Sequence, residues 1–264
     1  MEKRATILFA DDGSDAANIA WQWICAQNWA GWHVDCLYVE ELPVPTFSAD
    51  PDAETPRPWD PPEPMRRKAP ASSGLGSVEH LRALGDPRVV LYKMPPPDVL
   101  VLGKGHIETA MAALLGSTAR YLIESPPAPV IIAKTATEVR KVLVCSDGSV
   151  HSNAALEAFI GLPWAGRCNV EVVYVEQSRV SSAAVKDSVT AVVEAALPEL
   201  SWQFESIRGR PKEVLVKRLA SSGSYDLVVA GTRGYSTLPR PHLGSVTHAL
   251  AHRAQVNLLI SHAR

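Results

Sequence analysis

The second half of the chain alternates short apolar runs with longer amphipathic ones. Residues 141–146, 170–175, 204–207, 226–230 and 256–261 are rich in Val, Leu and Ile and too short for buried helices, so they predict strands. Between them, residues 152–159, 182–196 and 211–220, and a segment starting at Ser245, predict helices, the third with Pro211 in its first turn. Strands that alternate with helices and are apolar throughout predict parallel pairing with both sheet faces covered. The fold class is α/β, doubly wound, with an open and mostly parallel sheet. The first half starts the same way, with an apolar run at residues 7–10, but its middle reads differently: residues 78–84 predict a short helix and residues 88–93 a strand. Met94-Pro95-Pro96-Pro97 then leads into another strand. No counterpart of the helix at 211–220 is expected there, because three prolines cannot form it.

The two halves repeat each other. Asp12-Gly13-Ser14 falls on Asp147-Gly148-Ser149, Trp29-Ala30-Gly31 on Trp164-Ala165-Gly166, and Tyr38-Val39-Glu40 on Tyr174-Val175-Glu176. Further on, the strand from Asp98 to Gly103 matches that from Asp226 to Gly231, and Leu115-Gly116-Ser117 matches Leu243-Gly244-Ser245. Landmarks kept in the same order indicate two copies of one domain. The expected domains are 1–137 and 138–264, joined by a polar link near Thr135. An exposed apolar edge strand is a liability, so the copies are expected to pack as an intramolecular pseudo-dimer through residues 130–133 and 256–261. A further homodimer is compatible with the same reasoning.

Composition narrows the function classes. Of 264 residues, 46% are hydrophobic and 20% charged, enough to bury a core. Lys and Arg number 26 against 28 Asp and Glu, so no global charge draws the chain to nucleic acid or to a membrane. No window approaches the roughly 20 apolar residues of a membrane span, and Asp11 and Asp12 interrupt the first apolar run too early for a secretory signal. A cytoplasmic location is expected, with Cys25, Cys36, Cys145 and Cys168 as reduced structural thiols. The 21 prolines are unevenly placed: 13 lie between Leu42 and Asp98, a stretch expected to wrap the surface as an extended link.

The chemistry concentrates after the strand at 226–230. Gly231-Thr232-Arg233-Gly234 is followed by nine residues and then by Gly244-Ser245-Val246-Thr247 at a helix start. Glycines let a backbone approach an anion closely, a helix N-terminus offers free amides and a positive dipole end, and Ser245, Thr247 and Arg233 add donors. A glycine-rich turn before a capped helix explains the same residues without a ligand.

With Asp147-Gly148-Ser149 ending the first strand of its domain, this Gly-x2-Gly-x9-Gly-Ser pattern resembles the universal stress protein family, in its tandem-domain form, over most of both halves. The resemblance implies the adenine nucleotide α-hydrolase-like fold and a bound ATP, ADP or AMP with Mg²⁺. It implies Gly231, Gly234, Gly244 and Ser245 at the phosphates, Asp147 near ribose or metal, and Val175 at adenine through its backbone. Arg233, Val246 and Thr247 are neighbours of that set. In the first half Gly103-Lys104-Gly105-His106 precedes Gly116-Ser117, so His106 replaces the second motif glycine and weak phosphate contacts are expected. Residues 1–138 carry 12 Lys and Arg against 18 Asp and Glu, whereas the remainder carries 14 against 10, so the mildly basic half is the one with the intact loop.

The expected role is regulatory nucleotide binding in a stress response, with no catalytic residues and at most slow hydrolysis, since the loop holds no Lys, Gln or Glu to clamp charge or position water. Two rivals remain at this stage: a ligand-free tandem scaffold and a nucleotide hydrolase. The latter is disfavoured by the absence of a double-glycine turn after the first strand of the domain. His242, His248 and His252 have metal-compatible spacing but read better as a polar face. Trp21, Trp23, Trp29 and Trp32 read as core packing, and Asp11 as a turn residue.

Overall fold

The computed structural model describes residues 4–41, 55–63, 65–105, 115–176, 180–222, 225–234 and 243–263. Strands β1 (Thr6–Ala10), β2 (His33–Glu40), β3 (Arg57–Pro58), β4 (Ser77–Leu84), β5 (Val99–Gly103) and β6 (Val130–Ala133) belong to the first half, with helices α1 (Asp15–Ala26), α2 (Pro87–Lys93) and α3 (Ser117–Glu124). The second half holds β7 (Lys141–Cys145), β8 (Asn169–Val175), β9 (Ser201–Ile207), β10 (Leu227–Gly231) and β11 (Asn257–Ser261), with α4 (Val150–Ile160), α5 (Ser182–Ala196), α6 (Pro211–Ser222) and α7 (Ser245–Arg253). These strands form one 11-stranded sheet in the order β3-β4-β2-β1-β5-β6-β11-β10-β7-β8-β9. Pairing is parallel within each half, apart from the two-residue β3 against β4.

Alternation along the strands sorts side chains onto two faces. Ile7, Phe9, Val142 and Val144 pack with α1, α4 and α5, while Leu8, Leu37, Leu143 and Val173 pack with α2, α3, α6 and α7. The central strands are therefore buried on both sides, which is why they read as continuous apolar runs.

The halves meet as expected from their apolar edges. β6 and β11 pair antiparallel, with Val130 opposite Ile260, Ile131 opposite Leu259 and Ile132 opposite Leu258. Beside this seam Trp23 and Trp29 of the first half meet Trp164 of the second edge-to-face, at centroid distances of 6.1 and 6.0 Å. The tryptophans are thus core, as expected, but they join the two copies rather than filling the first alone. The link is pinned by buried amides. Asn257 Oδ1 accepts from the backbone of Lys134 and Thr135, its amino group donates to the Asp226 carbonyl, and Gln27 bridges the Thr137 carbonyl and the Val139 N–H. Lys134 Nζ donates to the Ala251 and Ala254 carbonyls at the end of α7. All four cysteines are free thiols, and burial pushes Cys25 up to about 11 and Cys145 and Cys168 to about 12, so they stay protonated and unreactive.

The middle of the first half departs from the sequence reading. Residues 78–84 lie in strand β4, paired with β2 over eight positions, and residues 88–93 lie in helix α2. The capping chemistry explains the exchange: Gly85 turns the chain at φ 140°, Asp86 accepts the Arg88 N–H as N-cap, and Pro87 occupies the first helical turn. These signals override the β-propensity of Val89 and Val90, whose helix buries Val90 and Leu91. The counterpart of α6 is therefore present as α2, shortened from 12 residues to 7, and not lost. Among the described residues, α5 is the element without a helical counterpart. Its place over α1 is taken by described residues of the proline-rich stretch, among which β3 and the 3-10 turn Ala71–Ser73 are regular.

One ion pair fastens that stretch to the sheet. Arg67 reaches Asp11 through two nitrogens, at 2.6 and 2.7 Å, and Asn18 of α1 through a third at 2.7 Å. In the second half the matching Asn153 donates instead to Ser188 of α5. Asp11 is thus a buried anchor and not a bland turn residue, with 4% of its side chain exposed and 7% of that of Arg67. Arg67→Met should lower stability by about 3–5 kcal/mol, because it leaves the Asp11 carboxylate buried and unpaired. Adding Asp11→Asn should recover more than half of that loss in urea unfolding.

Candidate functional site

Doubly wound sheets place ligands beyond the carboxyl ends of their strands, and the second half has a cavity of about 540 Å³ there. The floor is the turn after β7. Asp147 Oδ1 accepts the Ser149 N–H at 3.0 Å, Gly148 adopts φ 76°, and Ser149 caps α4 by accepting the Ser152 N–H. The turn exists because Asp, Gly and Ser each satisfy one backbone demand there. It leaves Asp147 Oδ2 facing the loop after β10.

That loop is closed by two hydrogen bonds. Gly244 N–H donates to the Thr232 carbonyl at 2.8 Å, and the Thr247 hydroxyl donates to the Gly231 carbonyl at 2.6 Å. The glycines serve close approach: a Cβ on Gly231 would stand 2.6 Å from the His151 carbonyl carbon, and one on Gly234 only 2.2 Å from Asp147 Oδ2. Neither needs a positive φ. Helix α7 then starts at Ser245 with Gly244 as its cap and no side chain closing its amides, which leaves its N-terminal dipole end directed at the cavity. Arg233 Nε is buried there without a hydrogen-bond partner among the described residues, a state that costs free energy unless an acceptor arrives.

Val175, the last residue of β8, supplies a different kind of contact. Ser146 N–H bonds the Val173 carbonyl at the end of β7, while Glu176 N–H turns to β9 and the Ile207 carbonyl. Backbone groups alternate sides along a strand. Val175 therefore directs its N–H and C=O the way Val173 does, but past the last β7 pairing, into the mouth of the cavity.

All nine expected residues, Asp147, Val175, Gly231, Arg233, Gly234, Gly244, Ser245, Val246 and Thr247, line this one cavity. One role differs from the expectation: Thr247 is buried and its hydroxyl proton is committed to the Gly231 carbonyl, so it holds the loop instead of offering a free donor. The sequence reading missed Arg210, Lys212 and Glu213, which line the cavity from the start of α6. The available signal was a further repeat, Gly85-Asp86-Pro87 against Gly209-Arg210-Pro211, whose first glycines share φ values of 140° and 144°. His151, behind the Gly231 strand end, is held below the usual imidazole range by burial and by the Arg233 charge; its Nδ1 accepts the Ala263 N–H.

The first half builds the same frame around less space, about 240 Å³. Asp12 accepts the Ser14 N–H and Gly116 N–H donates to the Lys104 carbonyl, as in the second half. Gly105, at φ 89°, stands where Arg233 does and lies so close to Gly116 that a Cβ would sit 2.7 Å from its Cα. Asp11, Asp12 and Glu41 line the cavity and, among the described residues, no Lys or Arg does. His106 falls outside the described residues. So does His242; His248 and His252 lie with rings 4.4 Å apart, and no third metal-binding side chain joins them among the described residues.

The fold and this cavity define a tandem of doubly wound α/β domains, each with a ligand-type cleft at its strand ends. The chain belongs to the universal stress protein family, whose model matches residues 3–134 and again 138–262. Among solved structures, a universal stress protein from Archaeoglobus fulgidus is 18% identical, with 97% of this chain and 98% of that one covered at a TM-score of 0.74. PA1789 from Pseudomonas aeruginosa is 14% identical, with coverages of 98% and 92% and a TM-score of 0.61. A universal stress protein in complex with cAMP is 27% identical, covering 48% of this chain and 98% of that one at a TM-score of 0.39. No curated protein matches. Among the described residues, no helix is long and apolar enough to cross a membrane.

The committed hydroxyl gives a direct test of the loop. Thr247→Val should cost about 1–3 kcal/mol of unfolding free energy by stranding the Gly231 carbonyl. Thr247→Ser, which keeps the hydroxyl, should recover most of that.

Proposed function

We propose that the chain is a nucleotide-binding regulatory protein of the stress response that holds one adenine nucleotide, in the cavity of its C-terminal domain. The observation that carries this reading is the convergence on one cavity of an uncapped helix N-terminus, a buried unpaired Arg233 Nε and an open backbone donor-acceptor pair at Val175. Phosphates suit the first two, because free amides, the helix dipole and a guanidinium all favour oxyanions. A base edge with an amino donor beside a ring acceptor, as in adenine, suits the third. Asp147, which lines the same cavity, suits ribose hydroxyls in this reading.

Mg²⁺ fits this set as a companion of the phosphates. It binds through one or two carboxylates plus phosphate oxygens and retains water, and Asp147 Oδ2 and the Ser245 hydroxyl are the protein oxygens at hand. When bound, the ion neutralises phosphate charge. The chain's own residues bind and orient: Gly231, Gly234 and Gly244 keep the loop thin, Arg233 and Lys212 supply positive charge, and α7 supplies amides. Turnover is expected to be slow. Glu213 of α6 pairs with Arg210 at 3.2 Å, and the sequence of residues 231–247 holds no Lys, Gln or Glu to clamp charge or position water.

Calorimetry with Mg-ATP tests the reading. One equivalent per chain is expected for the wild type, none for Gly234→Lys, and an unchanged equivalent for Asp12→Asn in the other cavity. Absence of binding, or binding undiminished in Gly234→Lys, would contradict it.

A further inference from the structure

At the amino ends of β2 and β4, far from the strand ends that form the cavities, three metal-binding side chains converge. His33 and Asp35 are alternate residues of β2 and share a face, and the parallel register sets Glu79 beside Asp35 and Ser77 beside His33. His33 Nε2 lies 2.7 Å from Asp35 Oδ1 and 3.8 Å from Glu79 Oε2. The three ligand atoms all fall within 4.8 Å of one another, and among the described residues no other group of three such side chains does. His33 and Asp35 are 18% and 22% exposed while Glu79 is 48% exposed, so the cluster is sheltered yet open on one side.

Two further observations give the cluster a meaning. The first is orientation: His33 Nδ1 is held by Ser77 Oγ at 2.5 Å, which turns Nε2 toward both carboxylates. A hydrogen-bonded second nitrogen is the usual support of a metal-bound imidazole.

The second is the matching place in the C-terminal domain. Glu171 stands there for Asp35, three residues before the matched Tyr174 and Tyr38. A cation occupies that place: Arg218 of α6 pairs with Glu171 and with Glu205, the latter at 2.6 Å, and the Tyr225 hydroxyl also donates to Glu171. Arg218 follows Pro211 by seven positions, and the residue that follows Pro87 by seven is Met94, which caps a helix stopped before Pro95-Pro96-Pro97. The shortened helix thus sets a methionine where the other domain has its arginine, and a histidine joins the carboxylates.

We propose that His33, Asp35 and Glu79 bind a divalent transition-metal ion of the zinc class, one per chain. One imidazole and two carboxylates suit borderline ions better than the all-oxygen octahedron that Mg²⁺ demands, and three protein ligands leave the fourth tetrahedral position for water. Ligands about 2.0–2.1 Å from a tetrahedral ion stand about 3.3 Å apart. The site approaches this by opening the 2.7 Å contact and closing the 3.8 Å one by about half an ångström each, with the Asp35 and Glu79 oxygens, which lie within 4.8 Å, adjusting toward the same spacing. As the ion enters, the neutral imidazole takes the tautomer with its N–H on Nδ1, donated to Ser77 Oγ, which frees the Nε2 lone pair for the metal.

Zinc added to the nucleotide-free full chain, measured by calorimetry and by metal analysis after gel filtration, tests the site. The wild type should retain one equivalent; His33→Gln and Glu79→Gln should lose it, and Ser77→Ala should weaken it about tenfold. His248→Gln should retain it. Circular dichroism reports folding of each variant. Glu79→Gln, at the exposed ligand, decides the matter if His33→Gln does not fold. Imidazole ¹⁵N spectra should show the zinc-induced shift at His33 Nε2. No retained zinc in the wild type, retention in Glu79→Gln, or loss in His248→Gln would overturn the proposal.

Discussion

The antiparallel pairing of β6 with β11 is the contact on which the rest of the molecule depends. Each half alone would expose a strand of Val, Ile and Leu with an unpaired row of amides and carbonyls, a template for association. Pairing Ile131 with Leu259 removes both edges at once and makes one continuous sheet. Because every long strand within a half is parallel to its neighbours, the antiparallel seam turns the two halves' carboxyl ends in opposite directions. The two cavities therefore open at opposite ends of the sheet and share no residues. Each was free to change without disturbing the other, while the Trp23, Trp29 and Trp164 contacts tie both copies to one core.

The changes fall in the first half and follow from one substitution of architecture. Where the second half lays α5 over α4, the first lays a proline-rich stretch over α1, fastened by Arg67 to Asp11 and Asn18. The Asp11 carboxylate is consumed by that anchor. Around the first cavity, glycine replaces Arg233, Asp86 replaces Arg210, and a smaller, acidic space results. The first half thus keeps Asp12, Val39, Gly103, Gly116 and Ser117 around a smaller space that, among the described residues, no Lys or Arg lines.

Much of this was legible in the residues because the halves repeat. The repeat announced the tandem and Val-rich runs announced the parallel sheet; the Gly-x2-Gly-x9-Gly-Ser pattern, with the family resemblance it carries and the neighbours of the motif, pointed to nine residues that the structure gathers at one cavity. What was not legible was tertiary. Residues 78–84 carry apolar positions that suit a helix as well as a strand, and only pairing with β2 decides between them. Residues 88–93 look β-prone until Asp86 and Pro87 are read as a helix start. Pattern likewise could not tell that Thr247 spends its hydroxyl on Gly231, or that Gly234 is needed for the approach of Asp147. The partner of Asp11 lies 56 residues away, inside a stretch that sequence could describe only as proline-rich.

The central claim is that one frame, used twice, keeps a single nucleotide cavity, in the second copy. Photolabelling with an azido-adenine analogue of ATP, followed by peptide mapping, tests it most directly. Label within residues 145–147, at Val175 or within 231–247 is the predicted result. Label within residues 10–12, at Val39 or within 103–119 would contradict it.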